Sequence, residues 1–202
     1  MSETLKWDQR YSEPGYAYGT DPNDFLTASR QYIPAGGSVL CLAEGEGRNS
    51  VFLAKNGFKV TAVDSSTVAM EKTGALAVQQ GVYVDTIVAD LADFTFTPNY
   101  YDAIVSIFCH LPPPLRQKVH NLISGSLKEG GVFILEGYTP KQLKHGTGGP
   151  PVKELLMNLN VIQKELAGLD MMHGAELERE VLEGTLHRGL GAVVQFIGKK
   201  TK

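Results

Sequence analysis

The 202-residue chain has only two cysteines, Cys41 and Cys109, and a single tryptophan, and its longest mostly apolar stretch is the short run Ala103 to Cys109. Both thiols sit in apolar, strand-like runs, which points to buried free cysteines and away from a disulfide framework or a thiolate metal site. A bilayer-spanning helix takes about 20 apolar residues, so no membrane span is expected. Lys6, Asp8, Arg10, Glu13 and Asp21 interrupt the N-terminal segment, against the pattern of a signal peptide. A basic excess is missing as well. With 19 Lys and Arg against 22 Asp and Glu the net charge is -3, which leaves little to hold a phosphate backbone, and nucleic acid is not an expected partner. His110, His120, His145, His173 and His187 lack ligand-like spacing, so no metal is expected. The setting these absences predict is reducing and cytoplasmic.

Several nucleotide-site signatures are incomplete. Gly45-Glu46-Gly47 opens a dinucleotide pattern, but Ser50 stands where its third glycine would be. No tyrosine is followed by lysine four residues later, and no Gly-Lys is followed by Ser or Thr, so neither a short-chain dehydrogenase pair nor a P-loop is present.

What is present is alternation. Strand-like runs at Val39 to Ala43, Val60 to Val63, Val82 to Ala89 and Ala103 to Phe108 are separated by segments of helical length, which predicts a parallel sheet with crossover helices. Helices are expected from Gly47 to Asn56-Gly57, from the N-cap Ser66 to Gly81, from Pro112 through Leu127, and from Val152 to Leu166. A further strand, Val132 to Leu135, follows Lys128-Glu129-Gly130-Gly131. The runs Met171 to Leu182 and Leu186 to Ile197, joined across Glu183-Gly184, read as an antiparallel pair. Five parallel strands and this hairpin place one antiparallel strand in an otherwise parallel sheet. No repeat or linker marks a second domain. The loop from Gly137 to Pro151 is rich in turn residues and long enough to cover a site.

The first strand stops at Glu44-Gly45-Glu46-Gly47-Arg48-Asn49, and the second stops at Val63-Asp64. Glycines at a strand end let the backbone approach a ligand, and a carboxylate at the next strand's tip can accept hydrogen bonds from ribose hydroxyls. This reads as a nucleoside-cofactor site. The competing reading of Gly45 and Gly47 is a tight turn serving packing alone, and that of Asp64 is a cap for the helix beginning at Ser65 or Ser66. Asp90 is either a ligand group or a turn residue, and His110, beside the crevice at the fourth strand's end, either faces a ligand or simply precedes the prolines.

The order of these motifs resembles the class I S-adenosylmethionine-dependent methyltransferases, in particular the tellurite-resistance-type branch of small-molecule methyltransferases. The resemblance rests on Trp7-Asp8-Gln9-Arg10-Tyr11, Gly45-Glu46-Gly47-Arg48-Asn49, Val63-Asp64, Ala89-Asp90-Leu91, Tyr101-Asp102-Ala103-Ile104-Val105-Ser106, Leu127-Lys128-Glu129-Gly130-Gly131 and Leu186-His187-Arg188, and it covers nearly the whole chain. It implies one Rossmann-like domain over 1–202, with a cap or lid in 1–30 and a core in 38–199 carrying a mostly parallel seven-stranded sheet, helices on both faces. It further implies S-adenosylmethionine as cofactor, S-adenosylhomocysteine as product, and a small-molecule methyl acceptor, with the oligomeric state left open. The cofactor set it implies is Tyr11, Tyr18, Gly19, Glu44, Gly45, Gly47, Asn49, Asp64, Ser65, Asp90, Leu91 and Ile107. Within that set the helix N-terminus near Arg48 and Asn49 faces the methionine carboxylate, and Asp90 and Leu91 meet the adenine. The catalytic candidates are His187, Arg188 and His110, the first two placed to hold an anionic acceptor or take its proton. The alternatives are a non-catalytic S-adenosylmethionine-binding domain and a nucleotide-dependent oxidoreductase.

The chain departs from the family pattern at Cys41, usually an acid, and at Ala43, usually a glycine. These departures predict weaker cofactor binding, with Glu44 or Glu46 available to compensate by meeting the cofactor's ammonium group.

Overall fold

Successive side chains along a strand point to opposite faces, so a strand apolar on both faces belongs inside a layered fold. The first strand, β1 (Ser38–Leu42), behaves this way: Val39 and Cys41 pack into one core and Leu40 and Leu42 into the other. The computed structural model describes residues 3–201; residues 1, 2 and 202 of the domain expected over 1–202 lie outside the described residues.

Around β1 the chain builds α1 (Glu3–Tyr11), α2 (Asp24–Ser29), α3 (Arg48–Lys55), β2 (Lys59–Asp64), α4 (Thr67–Gln79), β3 (Asp85–Val88), β4 (Tyr101–Ile107), α5 (Pro113–Ser126), β5 (Leu127–Tyr138), α6 (Leu159–Glu165), β6 (Asp170–Glu183) and β7 (His187–Lys199). The seven strands form one sheet in the order β3-β2-β1-β4-β5-β7-β6. Strands β3, β2, β1, β4 and β5 pair in parallel, and β7 runs antiparallel to both β5 and β6. The mostly parallel seven-stranded Rossmann-like sheet is thus present, with β7 as its antiparallel member. One core joins Val39, Cys41, Ala62 and Val105 to Val51, Leu53, Ala69, Met70 and Tyr11 of the flanking helices; the other joins Leu40, Ile104, Phe133 and Phe196 to Val119, Ile123 and Ile162.

Local signals set most boundaries. Ser66 caps α4 by accepting the Ala69 N–H at 3.1 Å, and prolines occupy the first turn of α5. Three boundaries differ from the sequence reading. Val82 N–H returns to Ala77 O at 3.0 Å to close α4, which confines β3 to Asp85–Val88. Strand β5 already starts at Leu127, and a register shift opposite Tyr101 and Ala103 absorbs the Lys128-to-Gly131 turn. The helix expected from Val152 to Leu166 is broken into a 3-10 turn at Lys153–Leu155 and α6. Leu156 and Met157 are extended and buried between them, Met157 N–H donating to Tyr138 O at 3.0 Å, and Asn158 starts α6 anew by capping the Val161 N–H. Among the described residues no helix is long and apolar enough to cross a membrane, and no group of three or more His, Cys, Asp or Glu side chains is placed to hold a metal.

Candidate active site

Parallel strands converge their C-terminal ends on one side, which is where open α/β sheets bind ligands. At the end of β1 the chain turns through Ala43, Gly45 and Gly47, all at positive φ (46°, 70° and 93°). A Cβ on Gly47 would lie 2.9 Å from Thr73 Cα, and one on Gly45 would lie 3.0 Å from the Tyr11 hydroxyl. Gly47 therefore serves packing against α4, and Gly45 makes room for the Tyr11 hydroxyl against the turn. Asp64 holds the turn in place: one carboxylate oxygen accepts the Gly45 N–H and the other the Ser66 N–H, each at 2.9 Å. Burial raises the Asp64 pKa, against the lowering effect of these backbone N–H groups. The ligand and capping readings of Asp64 are compatible in this geometry, and Ser65 sits beside it, partly buried.

The N-terminus of α3 is not free. Glu44 Oε1 accepts the Asn49 and Ser50 N–H groups at 3.1 and 2.7 Å, so Glu44 fills the position read as facing a methionine carboxylate. Desolvation pushes the Glu44 carboxyl up to about 7 and, with Glu44 beside it, the Cys41 thiol well above its usual value. Cys41 thus packs against the carboxyl that orders the turn. Asn49 is also engaged, its Oδ1 accepting the Asn23 N–H at 3.0 Å.

The N-terminal segment closes over this turn. Tyr11 is buried and stacks on Trp7 at 5.6 Å between ring centroids, and Arg10 donates to the Tyr18 hydroxyl at 2.8 Å. Lys72 donates to Glu13 O, Gly15 O and Glu46 Oε1, while Glu46 Oε2 accepts the Ala17 N–H at 2.7 Å. Glu46, suggested by the sequence as a partner for a ligand's ammonium, is therefore a latch for the lid. Gly19 lies against Gly184 of the β6–β7 turn, where a Cβ on Gly19 would come within 3.2 Å of the Gly184 nitrogen.

Beneath this closed segment lies an aromatic box. His187 has ring centroids at 4.5 Å from Tyr18, 4.9 Å from Phe108 and 5.3 Å from Tyr138, and Gly148 of the long loop packs over the His187 and Tyr138 side chains. The buried His187 Nδ1 and Tyr138 hydroxyl have no hydrogen-bond partner among the described residues. Phe108 reaches the box from a positive φ of 52°, a strained conformation for an aromatic residue.

Behind the box is a buried charge network. Fully buried Asn23 donates through its amide to Glu136 and Glu183, at 2.7 and 2.8 Å. Arg48 pairs with Glu183 at 2.6 Å, and Arg179 pairs with Glu136. Two carboxylates and two guanidiniums thus balance. His187 Nδ1 stands 3.7 Å from Glu183 Oε2, an ion-pair separation longer than a hydrogen bond. Desolvation lowers the His187 pKa, so the ring is neutral at pH 7, while Glu183 is held down at about 2 against its own desolvation by His187, Arg48 and Asn23.

The structure brings Tyr11, Tyr18, Gly19, Glu44, Gly45, Gly47, Asn49, Asp64 and His187 to one region and leaves several candidates elsewhere. Arg188 follows His187 on β7, is exposed, and points from the opposite strand face. His110 accepts the Tyr138 N–H at Nε2 and donates from Nδ1 to Leu155 O at 3.0 Å, so both nitrogens are spent on backbone, and burial pushes its pKa down to about 4. Its role is to tie the long loop to β5. Asp90 is exposed and caps its own turn through the Ala92 N–H; Leu91 and Ile107 are buried core residues. Sequence reasoning missed Asn23, Phe108, Glu136, Tyr138 and Glu183. Of these, Phe108 and Tyr138 at strand ends carried a positional signal, whereas the network's partners lie far apart along the chain.

Residues 39–131 match the family described as a methyltransferase domain. No curated protein matches the sequence. Among solved structures, the chain is similar to the protein described under "Conversion of a Disulfide Bond into a Thioacetal Group during Echinomycin Biosynthesis" (TM-score 0.78, 16% identity, 99% of this chain and 93% of that one). It is similar to TehB from Haemophilus influenzae (TM-score 0.71, 18% identity, 87% of this chain and 61% of that one). It is also similar to a SAM-dependent methyltransferase from Methanosarcina mazei (TM-score 0.70, 18% identity, 90% and 99%). At these identities the structural likeness establishes the fold.

Proposed function

We propose that the chain is a class I S-adenosylmethionine-dependent methyltransferase and that it methylates a small-molecule acceptor by direct in-line displacement. The observation that carries this reading is the juxtaposition of the Gly45 turn and Asp64 with an aromatic box holding two unpartnered buried polar groups, all under one closed segment. Affinity with the tellurite-resistance-type branch is supported by the likeness to TehB and by the sequence motifs.

The residues at the strand ends fit the cofactor. Gly45 lets the Tyr11 hydroxyl lie against the turn, and Asp64 stands at the tip of β2 beside it, where a carboxylate can meet ribose hydroxyls. In this proposal Asp64, Gly45 and Ser65 hold the nucleoside and Tyr11 and Tyr18 cover it. When bound, S-adenosylmethionine supplies a methyl group already activated on a sulfonium. The protein's task is then alignment and exclusion of water; alignment contributes roughly 7 to 11 kcal/mol in favourable cases. The Lys72–Glu46 latch closes the N-terminal segment, and Tyr18, Phe108 and Tyr138 line the acceptor side with apolar surface. No covalent enzyme intermediate is needed.

Incubation with methyl-labelled S-adenosylmethionine and a small-molecule extract tests the proposal. Label appearing in a small product supports it; cofactor binding with no transfer to any acceptor would favour a sensor role.

A further inference from the structure

We infer that the cavity between residues 20–22 and the C-terminal halves of α3 and α4 is a binding site of its own, and that its ligand is a free α-amino acid with an apolar side chain. The inference stands apart from the proposed methyl transfer and uses no step of it.

The cavity measures about 430 Å3, within the range that holds a small molecule. It is separate from the glycine turn. Lys55, on its wall, ends the helix that Arg48 begins, which places the two about 10 Å apart along the axis. Neither Asp64 nor any ring of the aromatic box lines it.

The walls carry one charge of each sign, and the two do not meet. Among the described residues Asp21 and Lys55 form no ion pair with each other, and the Asp21 carboxylate has no other partner. Lys55 donates to Gln80 Oε1 at 2.7 Å, which orients the ammonium, leaves it further donors and does not neutralise it. The Gln80 amide nitrogen remains as a donor beside it. Asn56 donates from Nδ2 to Phe52 O at 2.8 Å and keeps its side-chain oxygen as an acceptor. A ligand carboxylate thus finds Lys55 and Gln80, and a ligand ammonium finds Asp21 and Asn56. A simple anion would be opposed by Asp21 and a simple cation by Lys55; a zwitterion satisfies both.

The rest of the lining selects the side chain. Val51 and Leu76 are buried and Phe52 is half-buried, so the cavity has an apolar wall. A short apolar side chain laid on that wall leaves water, which favours leucine or phenylalanine over glycine.

NMR titration of the whole protein with L-leucine and L-phenylalanine tests the site. The Thr20 and Asp21 amides and the Gln80 side-chain amide should shift saturably, with a Kd of about 1 mM or tighter. Glycine, leucinamide, which lacks the carboxylate, and N-acetylleucine, which lacks the ammonium, should each bind at least tenfold more weakly. Lys55→Met should weaken leucine at least tenfold and change leucinamide by less than about twofold; Asp21→Asn should do the same with N-acetylleucine as the insensitive ligand. Both substituted side chains are exposed, so the variants keep the fold. The inference is overturned if neither amino acid gives saturable shifts at these residues by tens of millimolar, if the shifts centre on Gly45 and Asp64, or if the blocked ligands bind as tightly as leucine. Failure to bind or use S-adenosylmethionine would remove the proposed function and leave this expectation standing.

Discussion

Arg48, the first residue of the helix that follows the glycine turn, meets Glu183, the last residue before the hairpin turn, in a buried 2.6 Å ion pair. The contact ties the glycine turn after β1 to the strand pair that carries His187. Removing one partner of a buried pair strands the other, at a cost of about 3–5 kcal/mol. Arg48→Met is therefore expected to destabilise the protein by about that amount in chemical denaturation, and Arg48→Met with Glu183→Leu to recover part of the loss.

The Glu44 carboxyl gives stability an unusual sign with pH. Its folded pKa of about 7 lies above the unfolded value near 4.5, so between these pH values the folded state holds the proton more tightly and stability falls as pH rises. Glu44→Gln should remove this slope, gaining on the native protein by about 1–2 kcal/mol between pH 5 and 7 once the side chain's partial exposure is allowed for. Glu183 acts oppositely: its pKa of about 2 contributes stability that is complete above about 4.5 and lost as pH falls toward 2. Thermal melts of the two proteins across pH 3 to 8 check both signs.

The turn itself offers a paired test. Gly47→Ala combines a φ of 93° with a Cβ 2.9 Å from Thr73 Cα, and should cost about 2–3 kcal/mol or prevent folding. Ala43→Gly relieves a residue at φ 46° and should stabilise the protein by about 0.5–1 kcal/mol in denaturant titrations.

Lys72→Met removes the ammonium that gathers Glu13 O, Gly15 O and Glu46. Hydrogen exchange at the Ala17 and Gly19 amides should accelerate about tenfold, with the sheet amides unchanged, because roughly 1 to 1.5 kcal/mol of local hydrogen bonding is lost. Equal acceleration throughout the sheet would mean that the latch supports the whole fold.

The fold was legible because its strands are apolar runs bounded by local stop signals: β1 ends at the glycine turn, Ser66 caps α4, and Glu183-Gly184 leads into the hairpin turn. The meeting of Gly45 and Asp64 was legible for the same reason, since they follow or end adjacent strands. Other roles depend on distant partners. His110 reads as a free crevice residue until Leu155 O and the Tyr138 N–H occupy both nitrogens. Glu44 reads as a ligand group until α3 curls back onto it. The helix expected over Val152 to Leu166 fails because burial of Leu156 and Met157 under Tyr138 outweighs helical spacing.

The central claim is a cofactor site built on Gly45 and Asp64. Calorimetric titration with S-adenosylhomocysteine tests it most directly: saturable one-to-one binding, weakened at least tenfold by Asp64→Ala in a protein that remains folded, is the predicted result. Absence of any binding heat at millimolar ligand would contradict it.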